Sequence, residues 1–177
     1  MSQDKKELVR NMMREASVPR SVWATTLPHL NRDDLRQIIN DRALEVEDVS
    51  GFRGIFFKSI LNSDRQIFLA FAKECVLAGY TVKVLNLPIL LEWIEEESYR
   101  EVVARLRHTD LIFIQDFIED VPSPVDTKTA GFLRALVKEL LDSFVGVCVM
   151  VDAKNKDVNW CGQNLRAELY ERNIIVE

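Results

Sequence analysis

The chain has 177 residues, of which 47% are apolar and 29% are charged, and its formal net charge is −5. This length and apolar content suit one globular domain with its own core, and they exclude disordered and fibrous chains. The acidic balance argues against a protein that coats nucleic acid or a membrane surface through bulk positive charge.

The three cysteines are Cys75, Cys148 and Cys161, widely spaced and without a CxxC pair. They predict reduced, mostly buried thiols instead of a disulfide framework or a zinc site. The N-terminus lacks the apolar core of a signal peptide, and no apolar run approaches the ~20 residues that cross a bilayer. We therefore expect a cytoplasmic protein with no metal and no membrane contact.

Residues 1–50 are predicted to form a helical N-terminal segment. Their apolar residues recur at helical spacing, and Pro19 and Pro28 divide the segment into separate pieces. Asn31 is predicted to be the N-cap of the helix that follows the second proline. Two arrangements remain open for this segment, which either packs on the edge of the domain or forms a separate arm that docks a partner.

Residues 51–177 are predicted to form an α/β core. Apolar or β-branched runs predict strands at 55–57, 82–85, 111–114, 147–151 and 174–177, and patterns of helical period separate them. Strands that alternate with helices indicate βαβ units, so we predict a parallel sheet of about five strands. The nearly continuous apolar run at 111–114 predicts a central strand that is buried on both faces.

The turn after the first strand of this core is the first place where a ligand would bind. A phosphate-binding turn needs glycines, a lysine and a serine or threonine hydroxyl for magnesium. This turn has no glycine, and Asp64 adds negative charge where phosphate would lie. Arg65 is the only suitably placed cation, and Gln66 is a poor substitute for the hydroxyl.

The end of the strand at 111–114 is the second such place. Gln115 and Asp116 follow the apolar run, and a carboxylate at a strand end either takes part in catalysis or caps the next turn.

Four local stretches are informative: SVPRSVWATTL at 17–27, the continuous region 54–94, HTDLIFIQDF at 108–117 and NLRAELYERNIIVE at 164–177. Together with the order of elements, they resemble the AAA+ core of bacterial helicase loaders of the DnaC/IstB type. The resemblance covers residues 17–177 and implies a three-layer P-loop NTPase fold.

The same resemblance implies that the nucleotide site is vestigial. The family's Walker A turn falls on SILNSDRQ, from Ser59 to Gln66, with its lysine at Arg65 and its magnesium-binding hydroxyl at Gln66. The first acidic position of Walker B falls on Gln115, while Asp116 keeps the second.

Two further positions of the family are also altered. The sensor asparagine falls near Ala153 or Lys154, and the arginine finger falls on Glu168, with Arg166 two positions away. Because four functional positions are lost together, we expect no ATP hydrolysis, no catalytic residues and no cofactor.

The leading hypothesis is a non-catalytic protein of DNA replication or mobile-element biology, an accessory or inhibitor resembling a helicase loader. Its expected partner is a replicative helicase, a helicase loader or a related AAA+ subunit, and Trp23 and Trp160 are the candidate anchors. One alternative is an active nucleotide-binding loader that uses Arg65 and Asp116. The other is a DNA-binding module with weak single-strand contacts through Lys154, Lys156, Arg166 and Arg172.

Overall fold

The computed structural model describes residues 3–46, 51–59, 64–86, 90, 92, 93, 96, 98–115, 127–152 and 162–176. Within these residues, helices and strands alternate after a helical N-terminal segment. In chain order the elements are α1 Gln3–Glu15, α2 Asp33–Asn40, β1 Glu45–Val46, β2 Gly51–Phe52, β3 Ile55–Ser59, α3 Asp64–Leu77, β4 Val82–Asn86, α4 Tyr99–Leu106, β5 Leu111–Gln115, α5 Thr127–Asp142, β6 Gly146–Asp152, α6 Gly162–Arg172 and β7 Ile174–Val176.

Five of the strands form one parallel sheet, in the order β4-β5-β6-β3-β7. The predicted fold class is therefore confirmed, with β5 inside the sheet as its apolar run predicts. The antiparallel pair β1 and β2 was not predicted, because strands of two residues carry no measurable periodicity.

The sheet separates two hydrophobic clusters, which gives the fold three layers. Successive residues of β5 alternate between the clusters: Ile112 and Ile114 join the one that contains residues of α4, α5 and α6, and Leu111 and Phe113 join the one that contains residues of α3. This alternation follows from the period of two along a strand. Helices on both faces of a parallel sheet bury its central strands.

The N-terminal segment packs on the same core as α3. Met13, Leu27 and Leu35 are buried in the cluster of that face. Lys73 of α3 is also buried, and its Nζ donates a hydrogen bond to the carbonyl oxygen of Thr25 and forms an ion pair with Glu74 Oε1 at 3.0 Å. The segment thus takes the packed arrangement of the two that the sequence allowed, and a role in docking a partner stays a prediction.

The N-terminal segment also covers an edge of the sheet. The backbone N–H of Val84 in β4 donates to the carbonyl oxygen of Ala16 at 2.8 Å, and Lys83 Nζ donates to that of Glu15 at 3.0 Å. Among the described strands β4 is the outermost on this side, so the bond from Val84 satisfies a backbone N–H that an exposed edge would leave open.

Helix ends follow local backbone chemistry, with one correction to the sequence analysis. Gly79, with φ of 99°, ends α3, and Tyr80 N–H bonds the Cys75 carbonyl oxygen at 3.1 Å, which is a Schellman motif. Asn31 is not the N-cap of α2, because its φ of 55° ends the preceding 3-10 turn Pro28–Leu30 and Arg32 stands at the cap instead. Asparagine tolerates this left-handed conformation better than most residues do.

Asn173 ties together the amino ends of three strands. Its side chain is 8% exposed, accepts a hydrogen bond from Gly54 N–H at 3.2 Å and donates one to the carbonyl oxygen of Val147 at 2.8 Å. It therefore satisfies backbone groups at the starts of β3 and β6 from its place just before β7.

Cys75 and Cys148 are both buried, as the sequence predicted, while Cys161 lies outside the described residues. Burial raises the pKa of the Cys148 thiol to about 12 and raises the pKa of Cys75 as well. Both thiols are consequently protonated at neutral pH.

Candidate functional site

Four polar residues form a row at the carboxyl edge of the sheet. The backbone register pairs Asn86 of β4 with Gln115 of β5, and Ser59 of β3 with Asp152 of β6. Ligands of open parallel sheets bind at this edge. Residues 60–63, 87–89, 116–126 and 153–161, which follow these four strands, lie outside the described residues, together with the predicted site residues Asp116 and Trp160.

The start of α3 forms the described part of the predicted phosphate turn. Helix α3 begins at Asp64, whose side chain is half-buried, and continues with Arg65 and Gln66, which are exposed. Ser59 ends β3 on the other side of the turn. The carboxylate of Asp64 lies in the first helical turn, where it interacts favourably with the positive end of the helix dipole, as a bound phosphate would.

Gln115 also lies at the carboxyl edge of the sheet, but its strand, β5, is not adjacent to β3. Strand β6 lies between β5, which Gln115 ends, and β3, which leads into the phosphate turn. The structure thus brings the predicted Walker A and Walker B positions to one edge, separated by the strand that Asp152 ends.

Arg32 lies beside this site, and the sequence analysis missed it. Its guanidinium carbon is 5.2 Å from the centre of the Phe57 ring in β3, and its Nε and Nη2 donate to Asp34 Oδ1 at 2.8 Å and Oδ2 at 2.6 Å. The hydrogen bonds to Asp34 raise the pKa of Arg32, and the charge of Asp64 contributes to the same shift. No sequence motif signals this residue, because only folding brings it to β3 and α3.

Glu168, the predicted arginine-finger position, belongs to a ring of four charges that joins α6 to α5. Its carboxylate oxygens lie 2.8 Å from Arg172 Nη2 and 3.4 Å from Lys138 Nζ. Asp142 closes the ring, 3.1 Å from Arg172 and 3.9 Å from Lys138. Arg166, the nearby arginine of the prediction, lies in the same helix as Glu168, where the structure describes its backbone. The position of the predicted finger therefore carries a negative charge that is balanced within the chain.

Trp23, the predicted anchor in the N-terminal segment, is half-buried against the core. Its indole N–H donates to the carbonyl oxygen of Val18 at 3.0 Å, and the guanidinium of Arg20 lies 6.0 Å from its ring centre. These contacts give Trp23 a role in holding the N-terminal segment in place. Its role as a partner anchor stays a prediction.

Neither a metal cluster nor a bilayer-spanning helix is found in the described part of the chain. No three or more His, Cys, Asp or Glu side chains among those residues are arranged to hold a metal ion. None of the described helices combines the length and the apolar character that a bilayer crossing requires.

No protein-family model matches the sequence, and no curated protein is significantly similar to it. Solved structures do match. A crystal structure of the DnaC helicase loader aligns with a TM-score of 0.66 and 11% identity, covering 90% of this chain and 100% of that one. A crystal structure of DnaI aligns with a TM-score of 0.60 and 13% identity, covering 93% and 96%.

The AMPPCP-bound replication initiator DnaA from Aquifex aeolicus is also similar, with a TM-score of 0.56 and 13% identity over 84% of this chain. The present chain spans 45% of that initiator. At these identities the likeness concerns the fold alone, and it shows that this chain shares the α/β fold of these structures, as the sequence resemblance implied.

Proposed function

We propose that this chain is a AAA+-like protein of DNA replication or of mobile-element biology that no longer hydrolyses ATP and acts through contacts with other proteins. The fold that it shares with DnaC, DnaI and DnaA structures supports a place in replication. A non-catalytic role rests on the chemistry of the carboxyl edge.

The observation that carries the proposal is the carboxylate of Asp64 in the first turn of α3. A phosphate bound at this helix terminus would meet a like charge. At a separation of ~5 Å and an effective dielectric constant of ~20, the repulsion is about 3 kcal/mol for each unit of phosphate charge. This repulsion alone weakens binding by roughly two orders of magnitude.

The residues that would offset this repulsion are altered or engaged elsewhere. Arg32 is bound by both oxygens of Asp34, and the turn lacks the glycines that let backbone N–H groups cradle phosphate. Gln115, at the first Walker B position, is a neutral amide and so a weaker magnesium ligand than a carboxylate. These features support the loss of hydrolysis.

Glu168 supports the proposal that this chain acts beside other subunits. A ring made of copies of this chain would lack the arginine that activates hydrolysis in a neighbouring subunit. An arginine finger stabilises the charge of a transferring phosphate with a positive group. Glu168 carries the opposite charge, and Lys138 and Arg172 balance it within the chain. The proposed partners are a replicative helicase, a helicase loader or another AAA+ subunit.

The DNA-binding alternative has less support. Of the four cations proposed for it, Arg172 is the one whose side chain the structure describes. Arg172 donates to the carbonyl oxygen of Leu141 at 2.9 Å and pairs with Asp142 and Glu168. A guanidinium with three internal partners is a poor phosphate contact.

The test combines nucleotide binding with turnover. We expect the purified protein to release no phosphate from ATP above the buffer blank, and to bind a fluorescent ATP analogue in magnesium at no better than millimolar affinity. Turnover that Asp116→Ala abolishes would contradict the proposal, and tight binding lost in Arg65→Ala would favour the active-loader alternative. The protein-contact half is tested separately, by sedimentation of the chain with the purified replicative helicase and loader of its host.

A further inference from the structure

Phe144 is an aromatic residue in a backbone conformation that usually belongs to glycine. It lies between α5 and β6, and its φ of 58° is left-handed. Phe144 N–H bonds the Leu141 carbonyl oxygen at 3.1 Å, and Val145 N–H bonds that of Leu140 at 3.0 Å, which completes a Schellman motif. Gly79 occupies the equivalent place at the end of α3 without steric cost.

The free-energy cost of this left-handed conformation is not offset by full burial of the Phe144 ring. Phe144 is 47% exposed to solvent. A bulky residue at positive φ is a strained feature, and such features concentrate at functional sites. Glycine at this position would adopt the same backbone conformation without strain, so the fold does not explain why an exposed aromatic ring is present.

The surroundings of Phe144 hold it in a fixed place. Phe52 N–H of β2 donates to the carbonyl oxygen of Phe144 at 2.7 Å. Gly51 provides the room for its side chain, because a Cβ at Gly51 would lie 2.3 Å from Phe144 Cβ. The aromatic ring is thus organised before any partner binds, which lowers the entropic cost of binding.

A cleft of about 390 Å³ opens beside the ring, at the amino end of the sheet. Leu141, Val145, Phe52 and Phe144 supply apolar surface. Arg53 and Arg172 supply two positive charges and Asp142 supplies one negative charge, so the charged lining is positive on balance. Arg172 is paired with Asp142, whereas no side chain of the described residues bonds the exposed guanidinium of Arg53. A ligand that matches this cleft has an apolar side chain to pack against its apolar residues and a negative charge to pair with Arg53.

We propose that Phe144, Phe52, Arg53 and the adjoining cleft, here called the Phe144 surface, bind an acidic segment of a protein partner. An aliphatic side chain of that segment enters the cleft against the two aromatic rings, and a carboxylate pairs with Arg53. Exposed aromatic and arginine residues are the usual anchors of such interfaces. The inference rests on the protein-contact part of the proposed function and is independent of ATP hydrolysis, since the surface lies at the sheet edge opposite to the phosphate turn.

The test uses a defined probe and the full chain. A blocked twelve-residue peptide of alternating leucine and glutamate is titrated into ¹⁵N-labelled protein, and a peptide with lysine in place of glutamate serves as the charge control. We expect the acidic peptide to shift the backbone amide resonances of Phe52, Arg53 and Phe144, and the basic peptide to leave them unchanged. Added salt should weaken the effect, because screening reduces the attraction to Arg53.

Two variants and two matched controls locate the contact. Phe144→Gly is expected to weaken peptide binding at least about tenfold and Arg53→Ala at least about fivefold, as losses of anchor residues do. Tyr170→Ala is the aromatic control, because Tyr170 is also 47% exposed, and Arg107→Ala is the control for an exposed arginine. Both controls should bind the peptide as the wild type does.

The unfolding temperature of Phe144→Gly separates binding from folding. Relief of the left-handed strain should offset the lost ring contacts and keep this variant folded. An absence of shifts at millimolar peptide, or equal binding by wild type and Phe144→Gly, overturns the inference. So does a concentration-dependent dimer that Phe144→Gly abolishes, since the occupant is then a second copy of this chain. If Phe144→Gly still sediments fully with the helicase or loader, the proposed function stands and the Phe144 surface does not.

Discussion

Replacing Asn173 by alanine removes one side chain and leaves two buried backbone groups without partners. The N–H of Gly54 loses its acceptor at 3.2 Å, and the carbonyl oxygen of Val147 loses its donor at 2.8 Å. Each unsatisfied buried group costs about 1–3 kcal/mol, so we expect the free energy of unfolding to fall by about 2–6 kcal/mol. This is a large fraction of the ~5–15 kcal/mol that stabilises a typical domain.

Urea unfolding, followed by circular dichroism, measures this loss. With an m-value of ~2 kcal/mol/M, the midpoint of Asn173→Ala should fall by about 1–3 M while the m-value stays the same. Asn11→Ala is the matched control, because Asn11 is exposed and its Oδ1 accepts a single long bond of 3.5 Å from Arg14. We expect that control within about 0.5 kcal/mol of wild type. A loss below ~0.5 kcal/mol for Asn173→Ala would refute the assignment of these two bonds as stabilising.

Three further predictions concern the close approach of strands, the pair beside the phosphate turn and the charge ring. Gly54→Ala should unfold the chain or lower its stability by more than ~3 kcal/mol, because the new Cβ would lie 2.2 Å from the Val147 carbonyl oxygen. Gly131→Ala is the control: no atom lies nearer than 4.0 Å to its new Cβ, so a thermal melt should show it to be neutral or stabilising. Because the Arg32 hydrogen bond lowers the pKa of Asp34 below its ordinary value of 3.8, this pair should stabilise the fold above that pH and lose its contribution as the pH falls through the folded-state pKa. The unfolding temperature from pH 2 to 7 measures this dependence, and an equal acid dependence in Asp34→Asn would contradict it. Glu168→Arg should lower the unfolding temperature more than Glu168→Gln, since it places a third cation beside Lys138 and Arg172, and phosphate release from ATP should stay at the blank level in both variants.

Elements with a strong periodic pattern were predictable from the sequence. The strands β3 to β7 correspond to apolar or β-branched runs, and Gly79 marks the end of α3. Residues that act through local backbone chemistry were less predictable. Asn31 suits an N-cap by residue type, but the 3-10 turn before it imposes a left-handed conformation, and that geometry is not visible in composition.

Contacts between distant parts of the chain could not be predicted. Glu168 and Arg172 are four residues apart on a helix, so their ion pair is implicit in the sequence, but Lys138 joins them from 30 residues away. Arg32 carries no motif, and its place over Phe57 depends on how the N-terminal segment packs. The motif positions of the candidate site are therefore predictions from the sequence, whereas the charges around them become visible only in the tertiary structure.

The hydrogen bond from Val84 to Ala16 has a consequence for how this chain can be divided. A shortened chain that begins after Ala16 would present the outer side of β4 to solvent, with the N–H of Val84 and the ammonium group of Lys83 released from their acceptors. Open strand edges recruit other strands, and pairing with a second chain leads to swapped dimers or aggregates. Poor solubility of such a fragment would follow from the uncovered edge, even if its core folded normally. Removing α1 together with Ala16 is therefore an unsuitable way to separate the N-terminal segment from the sheet, and single substitutions in α1 that leave Glu15 and Ala16 in place are the better probe.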